Sequence, residues 1–99
     1  MKRKAALSLP SSMLEKFDKI PMTRSGAISQ ALLNAGRDPA LLSRAFQLRM
    51  STEQEQNDAR ICYMRDTKHD ETMEKLSRMT RLPGEQVVRL CMEAYIYGL

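Results

Sequence analysis

The chain has no tryptophan and only three Tyr and two Phe among its 99 residues. A core with so few rings must be filled by aliphatic and thioether groups, and eight methionines are available for it. That composition leans toward an all-α core. Glycine is scarce too: Gly26, Gly36, Gly84 and Gly98 form neither a G-x-x-x-x-G-K-[ST] loop nor a G-x-G-x-x-G turn, so a phosphate-cradling nucleotide site has no support. Cys62, Cys91 and His69 are too few for the usual four-ligand set of a structural zinc ion. Both thiols lie in apolar or helical patterns and read as buried free cysteines, and His69, within Arg65-Asp66-Thr67-Lys68-His69-Asp70-Glu71, reads as a solvated loop residue. No enzyme, cofactor or metal is expected. No apolar run reaches the ~20 residues of a membrane helix, and Met1-Lys2-Arg3-Lys4-Ala5-Ala6 leads into no signal-peptide stretch. The expected setting is soluble and cytoplasmic.

What is present is a chain of 42% apolar residues with 16 Lys+Arg against 12 Asp+Glu, a net charge of +4. The length suits one compact domain over residues 1–99, because two separate cores would each be too small to offset chain entropy. Leu7 and Leu9 alternate with Lys4, Ala6 and Ser8, the period of a short strand. Ser11 or Ser12 then caps a helix over about 11–20 with Met13, Leu14, Phe17 and Ile20 on one face, ended by Pro21. Thr23 caps a second helix with Ala27, Ile28, Ala31, Leu32 and Ala35 inward, and Gly36 is its expected stop. Asp38-Pro39 opens a connecting helix over 39–50 with Leu41, Leu42, Ala45, Phe46 and Arg49 as a semi-apolar stripe. Ser51 to Asp58 is wholly polar and reads as a surface linker or frayed helix end.

Beyond the linker the order repeats. Ile61-Cys62-Tyr63-Met64 is followed by a charged connector, a helix with Met73, Leu76 and Met79, a turn, and a last helix from about Pro83 to Tyr97. Leu14, Phe17 and Ile20 match Met73, Leu76 and Met79 at an offset of 59, and Ala27, Ile28, Ala31 and Leu32 match Val87, Val88, Cys91 and Met92 at 60. Neither half covers its own apolar faces, so the two strands are expected to pair as an antiparallel ribbon over the four repeat helices. The outer face of such a ribbon is basic, and a two-stranded ribbon fits the major groove of B-DNA.

In Lys2-Arg3-Lys4-Ala5-Ala6-Leu7-Ser8-Leu9-Pro10-Ser11-Ser12-Met13-Leu14-Glu15-Lys16-Phe17 and in Thr23-Arg24-Ser25-Gly26-Ala27-Ile28 the chain resembles the ribbon-helix-helix family of DNA-binding proteins, the Arc/MetJ-type repressors. The resemblance covers about 2–36 well and about 59–97 loosely, and its motif is short. Family members usually form homodimers, so two copies in one chain look like a tandem form: a first repeat at 2–36, connector and linker at 37–58, a second repeat at 59–99. The resemblance implies that Lys4, Ala6 and Ser8 read bases and that Thr23, Arg24 and Ser25, with Lys2 and Arg3, meet phosphate. It further implies a sequence-specific double-stranded DNA-binding protein, a transcriptional repressor of bacterial or phage origin, with further copies on adjacent sites as a possible partner. Plasmid partition and relaxosome accessory roles share that chemistry; a small helical interaction module, such as an antitoxin or adaptor, is the different-class alternative.

The second half departs from the pattern. The 59-residue offset would set Asp66 and Lys68 opposite Leu7 and Leu9, so its strand must begin earlier, with a longer connector. Two registers are open there. Either Cys62 and Met64 point inward and Ile61, Tyr63 and Arg65 join the base-reading face, or Ile61 and Tyr63 are buried and Arg60, Cys62 and Met64 face out. The first is favoured, because cysteine and methionine tolerate burial while Tyr63 and Arg65 carry polar ends. Pro83-Gly84-Glu85 stands where the second phosphate contact would fall, and Glu85 disfavours an anion there. Arg37, Arg44 and Arg49 on the connector read as a solvated face.

Overall fold

A computed structural model describes residues 3–51 and 58–98, without the side chains of 49–51. Its elements are β1 (Arg3–Leu9), α1 (Ser11–Asp18), α2 (Arg24–Arg37), α3 (Ala40–Ser51), β2 (Ala59–Arg65), α4 (Thr67–Thr80) and α5 (Gly84–Tyr97). The described chain is mainly helical with one two-stranded antiparallel sheet. Lys2, most of the polar linker and the side chain of Arg49 lie outside the described residues.

The strands form because neither can satisfy its backbone alone. β1 pairs with β2 from Arg3↔Arg65 through Ala6↔Cys62 to Leu9↔Ala59. One residue in two points at the helices, and Leu7, Leu9, Ile61 and Tyr63 are all buried there. The second strand therefore takes the register that was not favoured. Ile61 and Tyr63 are core, Arg65 is turned inward with a side chain 13% exposed, and Cys62 and Met64 face out. The polar ends do not prevent burial, because Arg65 Nη1 donates to the Tyr63 hydroxyl at 3.2 Å. Each polar tip supplies the other's partner.

Two helices follow side-chain caps, whereas α1 begins directly after Pro10 without one, so neither Ser11 nor Ser12 serves as its expected cap. Gly26 N–H donates to Thr23 Oγ1 at 3.1 Å at the head of α2, and Lys68 N–H donates to Asp66 Oδ1 at 2.7 Å at the head of α4. Asp66 thus starts a helix where a charged loop was expected, which puts His69 in the first turn of α4 with a side chain 16% exposed. The expected stop at Gly36 also moves. It sits inside α2, and a Cβ there would stand 3.0 Å from Thr72 Cγ2, so the residue is small because α2 and α4 approach closely. The glycine that does end a helix is Gly98, at φ 64° after α5.

One continuous core joins these elements. α5 runs through it, burying Val87, Val88, Leu90, Cys91, Met92 and Ala94 against α2, α3 and α4. The connecting helix α3 is part of this core through Leu41, Leu42 and Ala45, while Phe46 of the expected stripe is exposed. Met79, expected inward, is 57% exposed.

Exposed carboxylates stitch the elements at their ends. Asp58 accepts from Ser11 N–H at 2.8 Å and from its hydroxyl at 3.1 Å, fixing the start of α1 to the start of β2. Asp18 takes Arg24 in a two-pronged pair at 2.9 Å, tying the end of α1 to the head of α2. The hydrogen bonds from Arg24, Ser11 and Lys68 hold Asp18, Asp58 and Asp66 respectively below their ordinary carboxylate value of 3.8.

Truncating Leu7 to Ala is expected to cost about 2–5 kcal/mol in chemical denaturation, whereas Met79→Ala should stay within about 0.5 kcal/mol. Because the three folded carboxyls titrate below their unfolded value, their contribution is complete above pH 3.8 and is lost as pH falls through the lowered folded values. The denaturation midpoint should therefore drop on acidification below pH 3.8, and Asp58→Asn should flatten that drop.

Candidate functional site

Alternation along the ribbon sorts its side chains into two populations. On the face away from the helices stand Lys4, Ala6 and Ser8 of β1 and Arg60, Cys62 and Met64 of β2. Two are cations and none is acidic. Ala6 and Cys62 are opposite each other at the centre of the pairing, Lys4 lies opposite Met64, and Ser8 lies opposite Arg60, whose Nη1 is 3.5 Å from Ser8 Oγ. The cations are thus at opposite ends on opposite strands, flanking a small, apolar middle.

Both outer edges of the ribbon are held by a helix head. Met64 N–H donates to Ser25 Oγ at 2.8 Å, which seats α2 against β2. Ser8 N–H donates to Glu85 Oε1 at 3.0 Å, which seats α5 against β1. Arg89, one turn along α5, completes the second contact by donating to Ser8 O at 2.9 Å and lying 3.4 Å from Glu85. The Glu85 carboxylate is therefore turned onto the strand rather than left open above the helix head.

The expected phosphate-contacting residues meet different fates. Thr23 is occupied as the α2 cap, and Arg24 is engaged by Asp18, whose carboxylate raises the Arg24 pKa from its ordinary value. Ser25 accepts from β2, but a hydroxyl that accepts one bond still has its proton to donate outward. Arg3 sits with its Nη2 3.1 Å from Asp70 Oδ2. Of the expected base-reading set, Lys4, Ala6 and Ser8 share the outer face, while Ile61, Tyr63 and Arg65 belong to the inner one. Their places are taken by Arg60, Cys62 and Met64, the residues of the alternative register. The period of two groups them together but does not by itself say which group faces out, because all four of Ile61, Cys62, Tyr63 and Met64 suit burial.

Among the described residues no group of three or more His, Cys, Asp or Glu is placed to hold a metal ion, and no helix is long and apolar enough to cross a membrane. No family model, curated protein or solved structure matches the chain.

The two thiols are sharply different in setting. Burial pushes the Cys91 thiol up to about 12, and Cys62 is exposed at the middle of the outer face. A disulfide-exchange reagent should therefore label one thiol in the folded protein, at Cys62, and reach Cys91 only after denaturation. Peptide mapping of the labelled protein checks this.

Proposed function

We propose that this chain binds double-stranded DNA in a sequence-specific manner by laying the β1–β2 ribbon in the major groove, and that it is organised as two ribbon-helix-helix units in one chain. The observation that carries the reading is the two-faced ribbon, with core on one side and a cationic, acid-free row on the other. A two-stranded ribbon fits a groove about 12 Å wide, and alternate side chains then face the base edges. Lys4 and Arg60 are offset by four residues along the ribbon, which at about 3.4 Å per residue spans roughly four base-pair steps.

Equivalent contacts support the tandem organisation. Lys4 and Arg60 are each second in a seven-residue strand, and Ala6 and Cys62 are each fourth and directly opposed, as a two-fold axis through that pair requires. Ser8 and Met64 are each sixth, and both give their N–H to the second residue of a 14-residue helix, Glu85 and Ser25. The two halves repeat the scheme with different side chains, so the favoured DNA site need not be a palindrome.

The roles follow from side-chain chemistry. Lys4 and Arg60 suit guanine O6 and N7 or phosphate, Ser8 donates or accepts, and Ala6, Cys62 and Met64 suit thymine methyl groups. The head of α2 offers helix-terminal amides and the Ser25 hydroxyl to a phosphate, while the Arg24 charge beside them is offset by its partner Asp18. A protein that occupies a groove without further chemistry acts by exclusion, which makes transcriptional repression in a bacterial or phage setting the preferred biological role.

On a duplex obtained by in vitro selection, Lys4→Ala and Arg60→Ala should each weaken binding by about 1–3 kcal/mol, measured by fluorescence anisotropy. The same duplex should slow alkylation of Cys62 in the wild-type protein. Equal affinity for selected and random duplexes at matched salt, or Cys62 alkylation that ignores DNA, would remove the reading.

A further inference from the structure

The terminal pair of the ribbon, Arg3↔Arg65, concentrates positive charge, yet both residues share the strand face of Leu7 and Ile61 rather than that of Lys4 and Arg60. Both meet one carboxylate. Asp70 Oδ2 is 3.1 Å from Arg3 Nη2, and Asp70 Oδ1 pairs with Arg65 Nε. Arg65 is fixed further by the Tyr63 hydroxyl and by Met73 Sδ, 3.2 and 3.0 Å from its Nη1. Asp70 itself is 20% exposed, whereas Arg3 is 63% exposed and otherwise open to solvent.

Asp70 reaches this position because α4 begins immediately after its Asp66 cap, so its first turn lies beside the end of the ribbon. α4 has 14 residues where α1 has 8, and at the 59-residue offset Asp70 stands at the place of Ser11, the first residue of α1, so a carboxylate occupies the position where the first strand-helix segment has a hydroxyl.

We propose that Asp70 withholds Arg3 and Arg65 from the DNA backbone, limiting the sequence-independent part of binding so that the outer face of the ribbon dominates recognition. This rests on the groove-binding reading above. The argument is one of direction as well as charge. Arg3 leaves its strand toward the helices, and to meet a phosphate on the other side it must release a carboxylate already fixed by Arg65. Removing Asp70 leaves a flexible, exposed guanidinium at the edge of the ribbon, free to turn outward. Each added phosphate contact releases counterions and steepens the salt dependence by about 0.9 in log K against log salt.

The test is fluorescence anisotropy with a labelled random-sequence duplex of about 30 base pairs between about 50 and 200 mM NaCl, on wild type, Arg3→Gln, Asp70→Asn and the double variant. Arg3→Gln should keep the wild-type slope, because Arg3 contributes no phosphate contact. Asp70→Asn should steepen it by about 0.9, an additional loss of about 3.5-fold over that salt range, and the double variant should return to the wild-type slope. A flatter slope for Arg3→Gln, or an unchanged slope for a folded Asp70→Asn, overturns the proposal. Should Asp70→Asn unfold by circular dichroism, Arg3→Gln decides alone, since its exposed side chain leaves the core untouched. Wild-type protein that binds neither random nor selected duplex at the lowest salt defeats the groove-binding reading itself and takes this inference with it.

Discussion

Everything in this molecule depends on the pairing of β1 with β2. Each strand is seven residues long, and an isolated short strand has unpaired peptide groups and one apolar face with nothing to cover it. Pairing joins distant segments of the chain, Arg3 with Arg65 at one end and Leu9 with Ala59 at the other. The same act brings Leu7, Leu9, Ile61 and Tyr63 together as one wall of the core, against which helices from both halves pack. Burial of a side chain such as Leu7 is worth about 1.5–3 kcal/mol, so four such residues outweigh any single polar contact at the ribbon ends. The ribbon is thus both a structural wall and, through strict alternation, the support of the outer row. A slip of one residue would exchange the two sets and destroy both.

Under the proposed tandem organisation, the two halves share a plan and differ in execution. Ser25 seats α2 on one edge with a neutral hydroxyl, whereas Glu85 seats α5 on the other with a carboxylate backed by Arg89. Both solutions satisfy an outward strand N–H, so the fold is indifferent to the choice. A nearby anion is not. A helix head with a carboxylate in its first turn offers less positive potential than one presenting amides and a hydroxyl. Asp70 adds a second inequality, a carboxylate of α4 at the place of Ser11 in α1 that meets one end of the ribbon. In the proposed tandem form, single-chain linkage permits such differences, because each half is encoded separately and need not serve in both positions.

Much of the architecture was legible from residue spacing. Leu7 and Leu9 alternating with Lys4, Ala6 and Ser8 specified β1 and its faces, and Thr23 specified the head of α2 through its cap. The order strand, helix, helix on each side of a connecting helix followed from apolar periodicity. The second strand resisted because Ile61, Cys62, Tyr63 and Met64 are all compatible with burial, so alternation there carries little contrast. The structure decides between the two registers: Arg65, two residues along the same strand, satisfies the Tyr63 hydroxyl inside, and Cys62 meets Ala6 outside. His69 was misplaced for a related reason. A charged heptapeptide reads as loop until Asp66 is recognised as its cap. Gly36 reads as a helix stop unless the close approach of Thr72 is known, and no local pattern reveals that contact.

The net charge of +4 is a poor guide to what the ribbon presents. Arg24 is met by Asp18, Arg3 and Arg65 by Asp70, and Arg89 by Glu85, so four cations near the ribbon are offset by carboxylates that the fold holds within hydrogen-bond or ion-pair range. Lys4 and Arg60 instead project from a face with no acidic neighbour on either strand. Charges inside paired clusters produce fields that fall off quickly, while an uncompensated cation in a row of small side chains is felt at longer range. Placement therefore matters more than the total. The ribbon alternation sets that placement, since it sends one arginine of β2 toward the helices and the other away from them.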